Sequence, residues 1–227
     1  MGLKIGKIAL GTAGLLLGLL LGEGLLGFVE PQVHRRPRLW EFDAELGWRH
    51  IPGAAGEMVT PEFELDIAIN GDGLRDRDYA RTRIPGSWRL LAFGDSFVEG
   101  WGVPLESSVS KRLEVELQEQ GGDRAVEVIN FGVAGYGTDQ ELLFFEKQGR
   151  LYRPDDVLIF FYGNDLWNNG VRRGIGAERG YKPYFRLDRE GMLKLAGVPV
   201  KKTPAWDPEW QARQPWQFRL ERYLHRH

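Results

Sequence analysis

The chain has 227 residues, with 30 Lys+Arg against 32 Asp+Glu and a formal net charge of −2 at pH 7. That length allows one domain with a full core plus appendages, and the balanced charge gives no electrostatic case for binding nucleic acid. There is no cysteine, which excludes disulfides, thiolate metal sites, a cysteine nucleophile and a lipidated N-terminal cysteine. The four histidines (His34, His50, His225 and His227) are few and scattered, and none forms an H-E-x-x-H or similar metal pattern.

Residues 1–30 read as a membrane segment. Lys4 and Lys7 precede an apolar run from Ile8 to Gly22, which Glu23 interrupts before Gly24–Val29 resumes it. Together the two parts have the length to span a bilayer. A cleaved signal peptide is the rival reading, but no A-x-A site follows the run, which favours an uncleaved anchor. Gly14, Gly18 and Gly22 recur every fourth residue, a small-xxx-small face on which two helices can self-associate. Arg35, Arg36 and Arg38 follow closely, so charge leaves the orientation open.

Residues 31–87 read as a linker and a small β element. Phe63, Leu65, Ile67 and Ile69 alternate with Glu62, Glu64, Asp66 and Ala68, the pattern of a half-buried strand, which Asn70-Gly71-Asp72-Gly73 closes with a turn. Trp40, Trp48 and His50 are expected to pack rather than to bind.

From residue 88 onward an α/β pattern sets in, organised around Leu90–Phe97. The apolar run Leu90, Leu91, Ala92 and Phe93 ends in Gly94-Asp95-Ser96, as a buried parallel strand ends in a turn. A helix is expected from Ser107 or Ser108 with Val109, Leu113 and Leu117 as its inward stripe, stopping at Gly121-Gly122. A second strand, Val126–Ile129, leads into the glycine-rich Asn130–Thr138 loop. Thr138 and Glu141 suggest a capping box for a helix over Asp139–Gln148 that turns Leu142 and Phe145 inward. A third strand, Val157–Tyr162, ends in Gly163-Asn164-Asp165.

Strand–helix–strand–helix–strand implies a doubly wound parallel sheet with right-handed crossovers. Its strand ends bring Ser96, the glycine-rich loop and Asn164 to one edge, where such sheets bind ligands. A serine attacking a carbonyl creates an oxyanion that needs donors fixed in advance. The Ser96 amide, an amide of the loop and the Asn164 side chain can supply them.

The blocks G-D-S-F (Gly94–Phe97), N-F-G-V-A-G-Y-G-T (Asn130–Thr138) and G-N-D (Gly163–Asp165) resemble, in order, the first three signature blocks of the SGNH, or GDSL, hydrolase family. The likeness covers about Leu39 to Tyr184. Its upstream part, Leu46–Gly53 and Gly71–Arg75, is similar to membrane-anchored bacterial members. The resemblance implies a flavodoxin-like sheet and a serine esterase or O-acyl hydrolase. Ser96 would be its nucleophile, with Ser96, Gly135 and Asn164 as oxyanion donors. It also implies acyl-ester substrates, including acetylated polysaccharides or lipids, no cofactor, and a catalytic domain outside the cytoplasmic membrane.

The sequence departs from that family in one respect. No D-x-x-H follows to supply a general base and its orienting acid: Pro31, Gly47, Arg222 and Leu224 stand three residues before the four histidines. The stretch Tyr184–Leu195 reads as a hairpin turning around Asp188–Gly191, Pro199–Pro215 as a loop, and Trp216, Leu220 and Leu224 as a short amphipathic helix. A three-stranded core would leave apolar surface uncovered. The expectation is therefore an SGNH-like domain over 88–227 that is incomplete at its C-terminus, with little activity by itself. The alternatives are a polysaccharide O-acyltransferase using the same serine, or a non-catalytic SGNH-like binding domain in which Trp206, Trp210 and Trp216 stack on sugars.

Overall fold

The computed structural model describes residues 2–29, 35–174 and 180–206. The chain divides into two compact units, and helix α1 (Gly2–Val29) is the described part of the first. Within it, Gly6–Leu26 is a 21-residue stretch of mean hydropathy 1.8, long and apolar enough to cross a membrane, a property that anchors and signal sequences share. A Cβ added at Gly14, Gly18 or Gly22 would meet nothing within 4 Å.

The second unit, Arg35–Ala212, opens with two antiparallel hairpins. Strands β1 (Trp40–Asp43) and β2 (Gly47–His50) pair with Trp40 opposite His50, and β3 (Ala55–Val59) pairs with β4 (Glu64–Ala68). The alternating pattern holds: Ile67 and Ile69 are buried with Leu39 and Met58, while Glu64 and Asp66 face solvent. The Asn70 side chain accepts from the Asp72 and Leu74 amides and fixes the turn that follows.

The parallel sheet comprises β5 (Trp88–Gly94), β6 (Val126–Gly132) and β7 (Asp156–Ile159) in the order β6-β5-β7. The first strand is thus central, as expected for a doubly wound sheet. Four of the seven β5 residues, Leu90 to Phe93, pair with both β6 and β7, and all four are buried. Leu91, Phe93, Ile129, Phe131, Phe144 and Tyr152 form the main core with Leu46, Trp48 and Leu74 from the hairpin region. The β1–β2 hairpin therefore shares an apolar core with the sheet, while Met58, Ile67 and Ile69 of the β3–β4 region form a cluster of their own with Leu39.

Between β5 and β6 run the short helix α2 (Ser96–Glu99) and α3 (Val109–Gln120). The α3 stripe is shifted from the expected one. Leu113 and Leu117 pack inward, but Val109 is 37% exposed, and Ser110 and Lys111 are buried in its place. Lys111 is inside because it finds partners there. Its Nζ donates to the Tyr79 hydroxyl and the Val128 carbonyl at 2.6 Å each and pairs with Asp76 at 3.0 Å.

Helix α4 (Thr138–Lys147) carries two further corrections. Gly137 is its N-cap and makes no side-chain cap bond, so Thr138 is the first helical residue and the Thr138–Glu141 capping box does not form. Leu142 is 49% exposed, while Leu143, Phe144 and Phe145 meet the core. Strand β6 runs on through Asn130–Gly132, past its expected end, and β7 is shorter than expected, although Phe160 N–H still donates to Phe93 O at 2.9 Å.

Helix α5 (Gly163–Gly170) follows β7, and the expected hairpin is present as β8 (Tyr184–Leu187) and β9 (Leu193–Ala196). Trp206 is 8% exposed within the main core, so it packs and is closed to a stacked sugar. Trp210 and the helix expected from Trp216 to Leu224 lie outside the described residues, as do His34, His225 and His227. Among the described residues β7 borders the sheet, with Ile159 and Phe161 exposed.

Candidate active site

The three motif segments converge at the C-terminal ends of the sheet strands. Val133 N–H donates to Gly94 O at 3.1 Å, tying the glycine-rich loop to the end of β5. The Asn164 side-chain amide donates to Asp95 at 2.7 Å, tying the start of α5 to the residue before Ser96. Asp95 also caps α2, because its other oxygen accepts from Phe97 N–H at 2.9 Å. Ser96, Gly135 and Asn164 are each partly exposed, while Asp95, Ala134, Tyr136 and Asp165 beside them are buried.

The sequence dictates this close approach. Gly132 lies where α2 crosses the end of β6, and a Cβ there would run into the Val98 and Glu99 backbone. Gly132→Ala should therefore displace α2 or strain β6, costing at least about 2 kcal/mol in a denaturant titration. A loss under about 0.5 kcal/mol would contradict the tight crossing. Gly135 is the third residue of a turn closed by Tyr136 N–H to Val133 O at 3.1 Å, and its φ of +78° is the conformation that only glycine adopts without strain.

Several N–H groups at this edge are unspent. Among the described residues no acceptor receives the Ser96 or Gly135 amide, and the Asn164 amide gives Asp95 one of its two hydrogens. The Ser96 hydroxyl likewise has no hydrogen-bond partner among the described residues.

Beneath them lies an acidic cluster. Glu141 is 2% exposed, and neither of its carboxyl oxygens has a hydrogen-bond partner among the described residues. Burial, with the charges of Asp165, Asp95 and Asp139 nearby, pushes its pKa up to about 8. Burial also raises Asp165, and Asp139 is raised by burial although the buried amine of Lys182 donates to it. Folded Glu141 keeps its proton above the pH at which an unfolded glutamate releases it, so ionisation favours the unfolded chain. Stability should fall as pH rises from about 4.5 toward about 8, by up to about 1.4 kcal/mol per pH unit from this group. Glu141→Gln should flatten that slope in urea titrations across the range, and an unchanged slope would contradict the assignment.

His50, the histidine among the described residues, is closed off in the core. Its Nδ1 lies 3.2 Å from Gly73 O, its Nε2 faces Glu99 at 3.4 Å, and it packs as expected. No group of His, Cys, Asp or Glu among the described residues is arranged to hold a metal ion.

The family model of the GDSL-like lipase/acylhydrolase family matches residues 92–224, and the chain belongs to that family. Its fold is the SGNH hydrolase fold, of which the β6-β5-β7 sheet forms part. Among solved structures it is similar to AlinE4, described as an SGNH-hydrolase family esterase, at 30% identity and TM-score 0.33, covering 37% of this chain and 45% of that one. A single-residue mutant of the same esterase matches at 29% identity and TM-score 0.33, over 38% of this chain and 46% of that one. The chain thus spans a little under half the length of these structures. No curated protein matches it.

Proposed function

We propose that this chain carries the nucleophile and oxyanion hole of a serine ester hydrolase, held by α1 at a membrane and acting on O-acyl esters outside the cytoplasm. The observation that carries the reading is the convergence of a free serine hydroxyl with unspent N–H donors from three strand ends, joined through Asp95. In this reading the Ser96 Oγ attacks the ester carbonyl carbon. Negative charge gathers on the carbonyl oxygen, and the amides of Ser96 and Gly135 with the second Asn164 N–H hold it. Collapse of the intermediate expels the alcohol and leaves an acyl-Ser96, which water then hydrolyses.

The proton of Ser96 needs an acceptor, and the D-x-x-H that the family resemblance assigns to this task is absent from the sequence. His50 takes no part, because it is buried in the core, with Nδ1 3.2 Å from Gly73 O and Nε2 3.4 Å from Glu99. The second reading is a non-catalytic relative. Burial of Trp206 weakens the sugar-stacking version of it.

Turnover of p-nitrophenyl acetate by the full-length protein tests the proposal. A burst of nitrophenolate matching the protein concentration, followed by a slower steady rate, supports acylation of Ser96. No release above the buffer rate would favour the non-catalytic reading. Products trapped on a sugar hydroxyl rather than as free acid would make the same serine that of an acyltransferase.

A further inference from the structure

The glycine-rich loop is held by an element far away in the sequence. Trp48, on β2, is fully buried, and its indole N–H donates to Ala134 O at 3.2 Å across 86 residues. That carbonyl belongs to the peptide unit whose N–H is the Gly135 amide. A trans peptide is planar with C=O and N–H pointing opposite ways, so fixing one fixes the direction of the other. The neighbouring peptide units are held as well. Ala134 N–H donates to the buried Glu99 carboxylate, one helical turn beyond Ser96. The Tyr136 hydroxyl donates to Trp48 O, and Tyr136 O accepts from the Asn168 side chain at 3.2 Å.

We propose that Trp48 is a positioning residue for catalysis, its indole N–H aiming the Gly135 amide into the oxyanion hole. This rests on the esterase reading above. The Ala134–Gly135 peptide sits in a turn with two residues of freedom, and glycine at φ +78° leaves the plane easy to rotate. A donor that is fixed before the reaction stabilises the oxyanion without reorganising, and one that must rotate into place does so less well. Trp48 touches no substrate in this arrangement and acts only through the peptide plane.

Steady-state kinetics on p-nitrophenyl acetate in the full-length protein test this, with Ser96→Ala and Asn164→Ala as companions. Trp48→Phe keeps an aromatic ring and removes the N–H. It should lower kcat about 10- to 100-fold with KM within about twofold. Combined with Asn164→Ala, its effect should fall well short of the product of the two, since both act on one oxyanion. Should Trp48→Phe fail to fold, benzothienylalanine introduced at position 48 replaces the indole N–H with sulfur in the same ring volume and should give the same kcat loss. An unchanged kcat, or an effect that simply multiplies with Asn164→Ala, would overturn the proposal while leaving the esterase reading intact. Activity retained in Ser96→Ala, or absent from the unmodified protein, would overturn both.

Discussion

Ser96→Ala in the full-length protein should reduce ester hydrolysis to near background, with a loss on the order of 10⁶ in kcat, the scale for removing a serine nucleophile. Some acceleration over water should survive, because the oxyanion donors remain. Stability should barely change. The Ser96 hydroxyl is partly exposed and makes no hydrogen bond among the described residues, so its removal strands no partner. The cap of α2 comes from Asp95 rather than from Ser96 and is retained. Matched thermal melts with collapsed turnover would identify the residue as chemical. Comparable turnover in the variant would remove Ser96 from the mechanism.

Asn164→Ala should cost about 10²–10³ in kcat, or roughly 3–4 kcal/mol of barrier, with KM little altered. The asymmetry follows from the geometry. One Asn164 hydrogen is committed to Asp95 at 2.7 Å, which orients the amide, and the other is free to meet charge that exists only in the transition state. The substitution also leaves one oxygen of Asp95 without its donor, so a modest loss of stability should accompany it, although that residue still caps α2. A rise in KM at constant kcat would mean that Asn164 binds the ground state and is not an oxyanion donor.

The framework of this molecule was legible in its sequence because short apolar runs followed by glycine turns leave few alternatives. The three parallel strands, their order in the chain, and the hairpin around Asp188–Gly191 all follow from such runs. Local pattern misleads where tertiary contacts overrule it. Asn130–Gly132 looks like loop from composition, yet β6 continues through it, because Gly132 is needed where the α2 backbone passes close by. Helical spacing placed Val109 inside, but Lys111 goes in instead, since Asp76, Tyr79 and the Val128 carbonyl await its amine. Thr138 and Glu141 fit a capping box by spacing, but the helix starts one residue too early for it, at Thr138 itself, and Glu141 ends as a buried acid among other acids.

The site was readable at the level of residue types and less so at the level of support. Ser96, the glycine-rich loop and Asn164 stand out as strand-end motifs. The Asn164–Asp95 bond spans 69 residues and the Trp48–Ala134 bond 86, and no periodicity or motif spacing encodes either. Trp48 could be recognised in advance only as an aromatic expected to pack. Its indole N–H, a donor that a buried tryptophan must satisfy, was the one local clue that it would reach for a carbonyl.

Treating the full-length protein with a fluorophosphonate and mapping the adduct by peptide mass spectrometry tests the role of Ser96 most directly. One stoichiometric adduct on Ser96 is expected, blocked by prior acylation and weakened in Asn164→Ala. No adduct at all, or an adduct on another serine, would contradict it.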